Sequence, residues 1–177
     1  QLDWLEASVK ELEAQFDYER LEPEAQLSWN LWKKEYESAR DGMPFLLNPA
    51  PASVLPASLL ERVALLTPNE HELALVLGGA VDDWQQQLRA RPQRIIMTKG
   101  ADGAWFADGN GVLQQQRAFR VTAVDTTGAG DTFNGALAAF WGDDLAKLAQ
   151  LACAASALSV TRSGAQGGMP TYQQLLA

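Results

Sequence analysis

Residues 125–134 read DTTGAGDTFN and set Asp131 directly behind Gly128, Ala129 and Gly130, at the start of an apolar, helix-patterned run. A helix N-terminus favours negative charge, so Asp131 alone would fit a first-turn or capping residue. The small residues before it ask for more. They let the backbone approach a ligand closely, and the first N–H groups of the helix point outward without intrahelical partners. Such a turn is an anion hole, suited to a phosphoryl group in transfer. A carboxylate there would repel an anion that is merely bound. It fits instead as a base that takes a proton from a hydroxyl while the neighbouring amides stabilise the moving phosphoryl group.

Other stretches offer binding groups of lower specificity. Asn69 precedes the helical run EHELALVL and reads as its N-cap. In MTKGADGAWF (97–106), Thr98 offers a hydroxyl while Gly100 and Gly103 allow close backbone approach, a pattern that any tight hairpin shares. Lys99 is either a phosphate contact or a solvated lysine beside a turn. Cys153 reads as a small buried hydrophobe and His71 as structurally neutral. Trp105 and Trp141 read as core or hairpin aromatics.

The composition narrows the field of partners. With 177 residues, 47% apolar and 20% charged, the chain has the profile of a soluble globular protein with a real core. No apolar run approaches the roughly 18–20 residues that cross a bilayer, and the N-terminus lacks a basic-then-apolar signal pattern. The single cysteine rules out an internal disulfide and fits a reducing, cytoplasmic compartment. The single histidine leaves no His-rich zinc site. A net charge of −8 argues against nucleic acid and anionic membrane as partners.

The elements around these residues change character near DGMPFLLNPAP. Residues 1–45 carry 11 acidic and 5 basic side chains, whereas residues 46–177 carry 11 and 9. In the first segment Leu2, Leu5, Val9, Leu12 and Phe16 recur at helical steps. A second helix is expected after Pro23, with Glu22 and Glu24 at its positive end and Leu27, Leu31 and Tyr36 on its buried stripe. Asp41-Gly42 and Pro44 close this acidic helical hairpin, which reads as plain packing or an oligomerisation surface.

From residue 46 onward strands and helices alternate. PFLLN, VALLTP and RIIMTKG read as short buried strands, and GAWFADGNGVLQQQ as a hairpin around Asp108-Gly109-Asn110-Gly111. NEHELALVLGG reads as a helix, and DDWQQQLRAR as another capped by Asp82 or Asp83. GAGDTFNGALAAFWG and DLAKLAQLACAASALSVTR form two long Ala-rich helices. This order predicts a layered α/β domain with a mainly parallel sheet over 46–177.

DTTGAGDTFNGALAA resembles the C-terminal signature of the ribokinase, or PfkB, family of sugar kinases. The resemblance implies that Asp131 is the general base and that the backbone of Gly128, Ala129 and Gly130 is the anion hole. LNPAPA (47–52) and LLTPNEHE (65–72) resemble segments leading into that family's nucleotide site. The resemblance places Asn69 and Glu72 around phosphate and Mg²⁺, where one carboxylate acting largely through water is chemically reasonable. It lines the ATP side with Thr98, Lys99, Gly100, Ala101, Asp102 and Gly103, together with Gly130 and Asp131, and sets Cys153 near the adenine. It also implies a monovalent cation, K⁺, enclosed by Asp125, Thr127, Ser159, Arg162, Gly164 and Gly168, with glycine at 168 where some relatives supply a serine hydroxyl.

The implied fold is the C-terminal part of a ribokinase-like α/β domain, and the implied partners are ATP and a small sugar, ribose first. The family's sugar-binding features, an early aspartate, a Gly-Gly-x-x-x-Asn stretch and a β-lid, do not occur in this sequence. Residues 1–45 resemble, weakly, an unrelated helical bacterial family. Three readings follow: a ribokinase-type kinase, a nucleotide-binding module without turnover, and a truncated or fused remnant. A sheet cut from its continuation would expose an edge, to be covered by the acidic hairpin or by a second copy in a homodimer.

Overall fold

The computed structural model describes residues 10, 11, 14, 17–20, 22, 26, 45–142 and 144–176. The expected apolar stripes of the N-terminal hairpin, and its closing Asp41-Gly42 and Pro44, fall outside these residues. The chain divides into two compact units, Gln1–Phe45 and Leu46–Ala177. In the first, Lys10, Glu11, Ala14 and Gln26 are helical, and Tyr18–Arg20 forms a 3-10 turn. Gln26 donates its backbone N–H to the Glu22 carbonyl at 2.9 Å and its side-chain amide to the Tyr18 carbonyl at 3.1 Å.

The second unit runs β1 (Leu46–Leu47), α1 (Ala57–Leu60), β2 (Leu65–Leu66), α2 (Glu70–Leu77), α3 (Trp84–Ala90), β3 (Ile96–Thr98), β4 (Ala104–Ala107), β5 (Leu113–Gln116), α4 (Ala129–Ala139), α5 (Leu145–Ser159), α6 (Ala165–Gly168) and α7 (Tyr172–Leu176). β1 pairs parallel to β2, and parallel bridges Leu66–Ile95 and Asn69–Thr98 tie β2 to β3. β3, β4 and β5 then pair antiparallel, the last two as the expected hairpin. The result is a mixed α/β unit whose parallel half precedes its antiparallel half.

Side-chain alternation along these strands builds two core layers. Leu65, Ile96, Ala104 and Phe106 point to one face and pack with Phe133 and Leu137 of α4 and Leu148, Ala152 and Cys153 of α5. Leu66, Ile95, Met97 and Ala107 take the other face, against Leu73 and Val76 of α2 and Leu88 of α3. Leu137, Leu73 and Leu88 are fully buried, and each such side chain stabilises the fold by about 1.5–3 kcal/mol. Small residues at 136, 149, 152 and 155 keep α4 and α5 close.

Asp83 does not act as the expected cap of α3. It occupies the N-cap position, but its carboxylate accepts instead from the Ala80 N–H at 3.3 Å, which closes the 3-10 turn Val81–Asp83 ahead of the helix.

Candidate active site

α4 begins from a left-handed residue. Gly128, its N-cap, has φ 77° and ψ 6° and offers no side chain to the helix. A Cβ at this position would stand 2.7 Å from the Ala165 Cβ, so both backbone angle and space demand glycine. The Ala129 N–H donates to the Thr126 carbonyl at 3.2 Å and the Thr132 N–H to the Gly128 carbonyl at 2.9 Å. Between them, the Gly130 and Asp131 N–H groups meet no acceptor among the described residues. Asp131 is exposed, and no hydrogen bond or ion pair among the described residues engages its carboxylate. Two open amides and an uncommitted acid therefore share one helix turn.

The turn is anchored from behind. Ser156 of α5 donates its hydroxyl to the Ala129 carbonyl at 3.1 Å, and Ser159 donates to the Ser156 carbonyl at 2.8 Å. Sequence reasoning did not single out Ser156. The available signal was its three-residue spacing from Ser159 on an otherwise apolar helix, which puts both hydroxyls on one side.

Asn69 and Thr98 meet through their parallel bridge, just past β2 and at the end of β3. Asn69 Oδ1 accepts from the His71 and Glu72 N–H groups at 3.0 and 2.9 Å, while Glu72 Oε2 accepts from the Asn69 N–H at 2.8 Å. Asn69 and Glu72 thus form a reciprocal capping box. Glu72 Oε1 accepts no hydrogen bond among the described residues. Among the described residues no group of three His, Cys, Asp or Glu side chains could hold a metal ion. A Mg²⁺ near Glu72 would therefore need phosphate oxygens and water to complete its shell.

The loop after Thr98 folds into a 3-10 turn, Gly100–Asp102, closed by Lys99 N–H to the Gly103 carbonyl at 2.8 Å. Gly103 has φ 89°, and a Cβ there would lie within 2.1 Å of the Gln116 carbonyl oxygen. Lys99 leans on its own surroundings: Nζ is 3.9 Å from Asp102 Oδ2 and 5.6 Å from the centre of the Trp84 ring. Trp105 stands half-buried and edge-on to Trp84 at 5.1 Å, as a hairpin aromatic. Gly100 and Ala101 are exposed.

A third group of expected residues gathers where the 124–128 segment meets the end of α5. Val124 and Asp125 donate their N–H groups to the Val160 carbonyl at 2.7 and 3.2 Å. Asp125 accepts from the Gly164 N–H at 2.8 Å and the Thr127 N–H at 2.9 Å. These bonds, Gly164 foremost, hold its carboxyl down at about 2. Gly168 packs on the Ser159 carbonyl so tightly that a Cβ would lie 2.4 Å from its oxygen. The glycine is thus a packing requirement here. The Ser159 carbonyl also accepts from Arg162 N–H at 3.4 Å, and the Gly164 carbonyl from Gly168 N–H at 3.0 Å. Each carbonyl keeps a second lone pair, so the cluster has the oxygen-rich chemistry that suits a weakly hydrated cation.

Cys153 lies in the core layer at 6% exposure, and burial pushes its thiol up to about 11. That placement favours packing over contact with a base. His71 contributes its backbone N–H to the cap and an exposed side chain.

Comparison with known proteins fixes the class first. The ribokinase of Arabidopsis thaliana complexed with ribose and ATP superposes with a TM-score of 0.67 at 28% identity, over 77% of this chain and 47% of that one. The ribokinase of Thermotoga maritima gives 0.61 at 29% identity, over 75% and 48%. The fold is that of a ribokinase-like α/β protein. Residues 27–172 match the pfkB family carbohydrate kinase model, and the chain belongs to that family. The ribokinase of Lactococcus lactis is 40% identical over 134 residues, which are 75% of this chain and 44% of the relative. That of Bacillus subtilis is 38% identical over 135 residues, 75% and 45% respectively. The chain spans less than half the length of these curated relatives.

Proposed function

We propose that this chain is the nucleotide-binding part of a ribokinase-type kinase, which transfers the γ-phosphoryl group of MgATP to a sugar hydroxyl, ribose first. The observation that carries the reading is the α4 N-terminus: an exposed Asp131 with no protein partner beside two N–H groups with no acceptor. Asp131 takes the proton of the acceptor hydroxyl as its oxygen attacks the γ-phosphorus and the bond to ADP breaks. The Gly130 and Asp131 amides stabilise the charge on the phosphoryl oxygens in transit. Asn69, Glu72 and the Thr98–Gly103 loop would line the nucleotide, and Glu72 would help hold its Mg²⁺. Lys99 would have to leave Asp102 and Trp84 to reach a phosphate. Asp125, ionised, and the carbonyls of Thr127, Ser159, Arg162, Gly164 and Gly168 would hold K⁺, whose charge would orient the anion hole.

Family membership and the ATP- and ribose-bound neighbour support this reading. A second reading is nucleotide binding without turnover, since Lys99 is engaged by Asp102 and Trp84 rather than free for a phosphoryl group in transfer. Positioning both substrates supplies much of phosphoryl-transfer catalysis. We assign residues 1–45 as an acidic helical hairpin of separate origin, on its charge and on the division at Phe45, although the family match begins at residue 27. A cytoplasmic, homodimeric state belongs to the same proposal. No helix among the described residues is long and apolar enough to cross a membrane.

Calorimetry with ATP, Mg²⁺ and K⁺, followed by a D-ribose phosphorylation assay on the wild type and Asp131→Asn, separates the readings. Turnover lost in the variant supports the kinase. ATP binding without turnover supports the module. A folded chain that binds no nucleotide overturns both.

A further inference from the structure

A cavity of about 450 Å³ opens beside the beginnings of β2 and β3. Its place in the fold separates it from the candidate active site. Val63, Leu66 and Ile95 line it, whereas Asn69 and the Thr98–Gly103 loop follow the C-terminal ends of the same two strands. Since β2 and β3 run parallel, the cavity and the nucleotide loops sit toward opposite ends. The three-residue step from Leu66 to Asn69 alone spans about 10 Å. Ligands of open α/β sheets ordinarily bind beyond the carboxyl ends of strands, so the kinase reading leaves this cavity without a role.

The lining has two chemistries. Ala57, Leu60, Ala90 and Pro92 give the apolar part of the accessible lining, while Val63, Leu66 and Ile95 lie almost wholly buried behind it. Glu61, Arg91 and Arg94 are the charged lining residues. Arg94 is held in place, because its Nη2 donates to the carbonyls of Val63 at 2.6 Å, Glu61 at 3.1 Å and Leu60 at 3.4 Å. Its Nε and Nη1 make no hydrogen bond among the described residues. Arg91 is exposed, and its guanidinium has no hydrogen bond or ion pair among them. The lining therefore carries one net positive charge beside an apolar wall, in a chain whose overall charge is −8.

We propose that this cavity binds a small amphipathic monocarboxylate, its alkyl or aryl body against Ala57, Leu60, Ala90 and Pro92 and its carboxylate on Arg91 and the free edge of Arg94. A volume in this range holds a small organic ligand, and a fixed guanidinium pairs a planar carboxylate with little ordering cost. Glu61 sets the charge limit. A nucleoside polyphosphate or a sugar phosphate would bring more negative charge than the lining balances and no apolar body for the wall. The site is independent of the kinase reading, because its occupation needs neither ATP nor Asp131.

Titration of the full chain with octanoate, followed by calorimetry, tests the assignment, with 1-octanol as the uncharged probe of similar shape. Octanoate should bind saturably at one site, and both octanol on the wild type and octanoate on Arg91→Gln should bind at least tenfold more weakly. Ala90→Phe fills the cavity from an exposed position, away from the core. It should abolish the octanoate signal while leaving the thermal melting curve within a few degrees of the wild type. Absence of saturable octanoate binding overturns the proposal. Binding that survives Ala90→Phe, or octanol binding as tight as octanoate, overturns it equally.

Discussion

Two helix N-termini in this unit solve the same problem in opposite ways. α2 starts at Asn69, whose side chain takes two helix amides while Glu72 returns a carboxylate to the Asn69 N–H. The N–H groups of Asn69, His71 and Glu72 are thereby satisfied from within. α4 starts at Gly128, which has no side chain to give, and two of its first amides stay open. Orphan N–H groups at a helix end cost stability unless water or a ligand takes them. α1, α3 and α6 also begin without a side-chain cap, so what sets α4 apart is the exposed, unbonded Asp131 beside its open amides, the feature on which the proposed kinase reading rests. The acid belongs to the same contrast: Glu72 is half-buried and bonded, whereas Asp131 is exposed and unbonded.

The sharpest way to break this contrast is to remove the α4 acid without changing its size. Asp131→Asn should lower kcat for D-ribose phosphorylation by about 10²–10⁴-fold, the usual contribution of a positioned general base. The Kd for MgATP should stay within a few-fold, because the amides remain. A variant that loses binding and rate together would mean that Asp131 holds the turn rather than the proton.

Two glycine substitutions next probe the open end itself. Gly128→Ala forces a Cβ into φ 77° and against Ala165 at 2.7 Å, at a cost of about 1–3 kcal/mol in a denaturant melt. Gly130→Ala should behave in the reverse sense. Its added Cβ meets nothing within 4 Å, and alanine is the better helix former by up to about 1 kcal/mol. Stability should hold or rise, yet MgATP affinity should fall, since the new methyl group crowds the approach to the open amides. A glycine whose removal stabilises the fold and weakens the ligand is kept for the ligand.

The closed end predicts a smaller and purely structural effect. Asn69→Ala should destabilise the unit by about 1 kcal/mol, the usual loss for an N-cap. Thermal melts without nucleotide should already show it. An equal melting temperature would mean that the capping box contributes nothing net and that Asn69 is present for the nucleotide alone.

How much of this was legible in the sequence follows from how far apart the interacting groups lie. The Asn69 cap and the Gly-Ala-Gly-Asp turn could be read because each is complete within a few residues. The hairpin around Asp108 could be read for the same reason, and there the carboxylate accepts from the Asn110 and Val112 N–H groups at 2.9 and 3.0 Å. The Ser156 bond to Ala129 spans 27 residues and the Arg94 bonds to the end of α1 span 31–34. Neither has a local pattern to announce it. The same holds for Gly168, whose necessity comes from the Ser159 carbonyl it touches. Strands of two to four residues are also too short for alternation to show which ones pair parallel. The Asp83 cap failed for a subtler reason. Its carboxylate could serve either the helix ahead or the turn behind, and the Ala80 N–H behind it won.

The smallest effect concerns the carboxylate that is neither open nor in a helix cap. Asp125 is held at about 2, against an ordinary 3.8, by the N–H groups of Gly164 and Thr127. Its folded-state value lies below its unfolded value, so its stabilising contribution is complete above about 3.8 and fades as pH falls toward 2. Melting curves of the wild type and Asp125→Asn should therefore differ most near neutral pH and converge through that acidic window. Asparagine keeps the size and can still accept from one amide, so the neutral-pH difference should be modest. The same pair sharpens the contrast between the helix ends when K⁺ is varied. If Asp125 and the nearby carbonyls enclose the ion, added KCl should raise the wild-type melting temperature more than equal NaCl, and Asp125→Asn should erase the difference. Identical responses to the two salts would leave Asp125 as a clasp between the 124–128 segment and Gly164, with the α4 amides oriented by Ser156 alone.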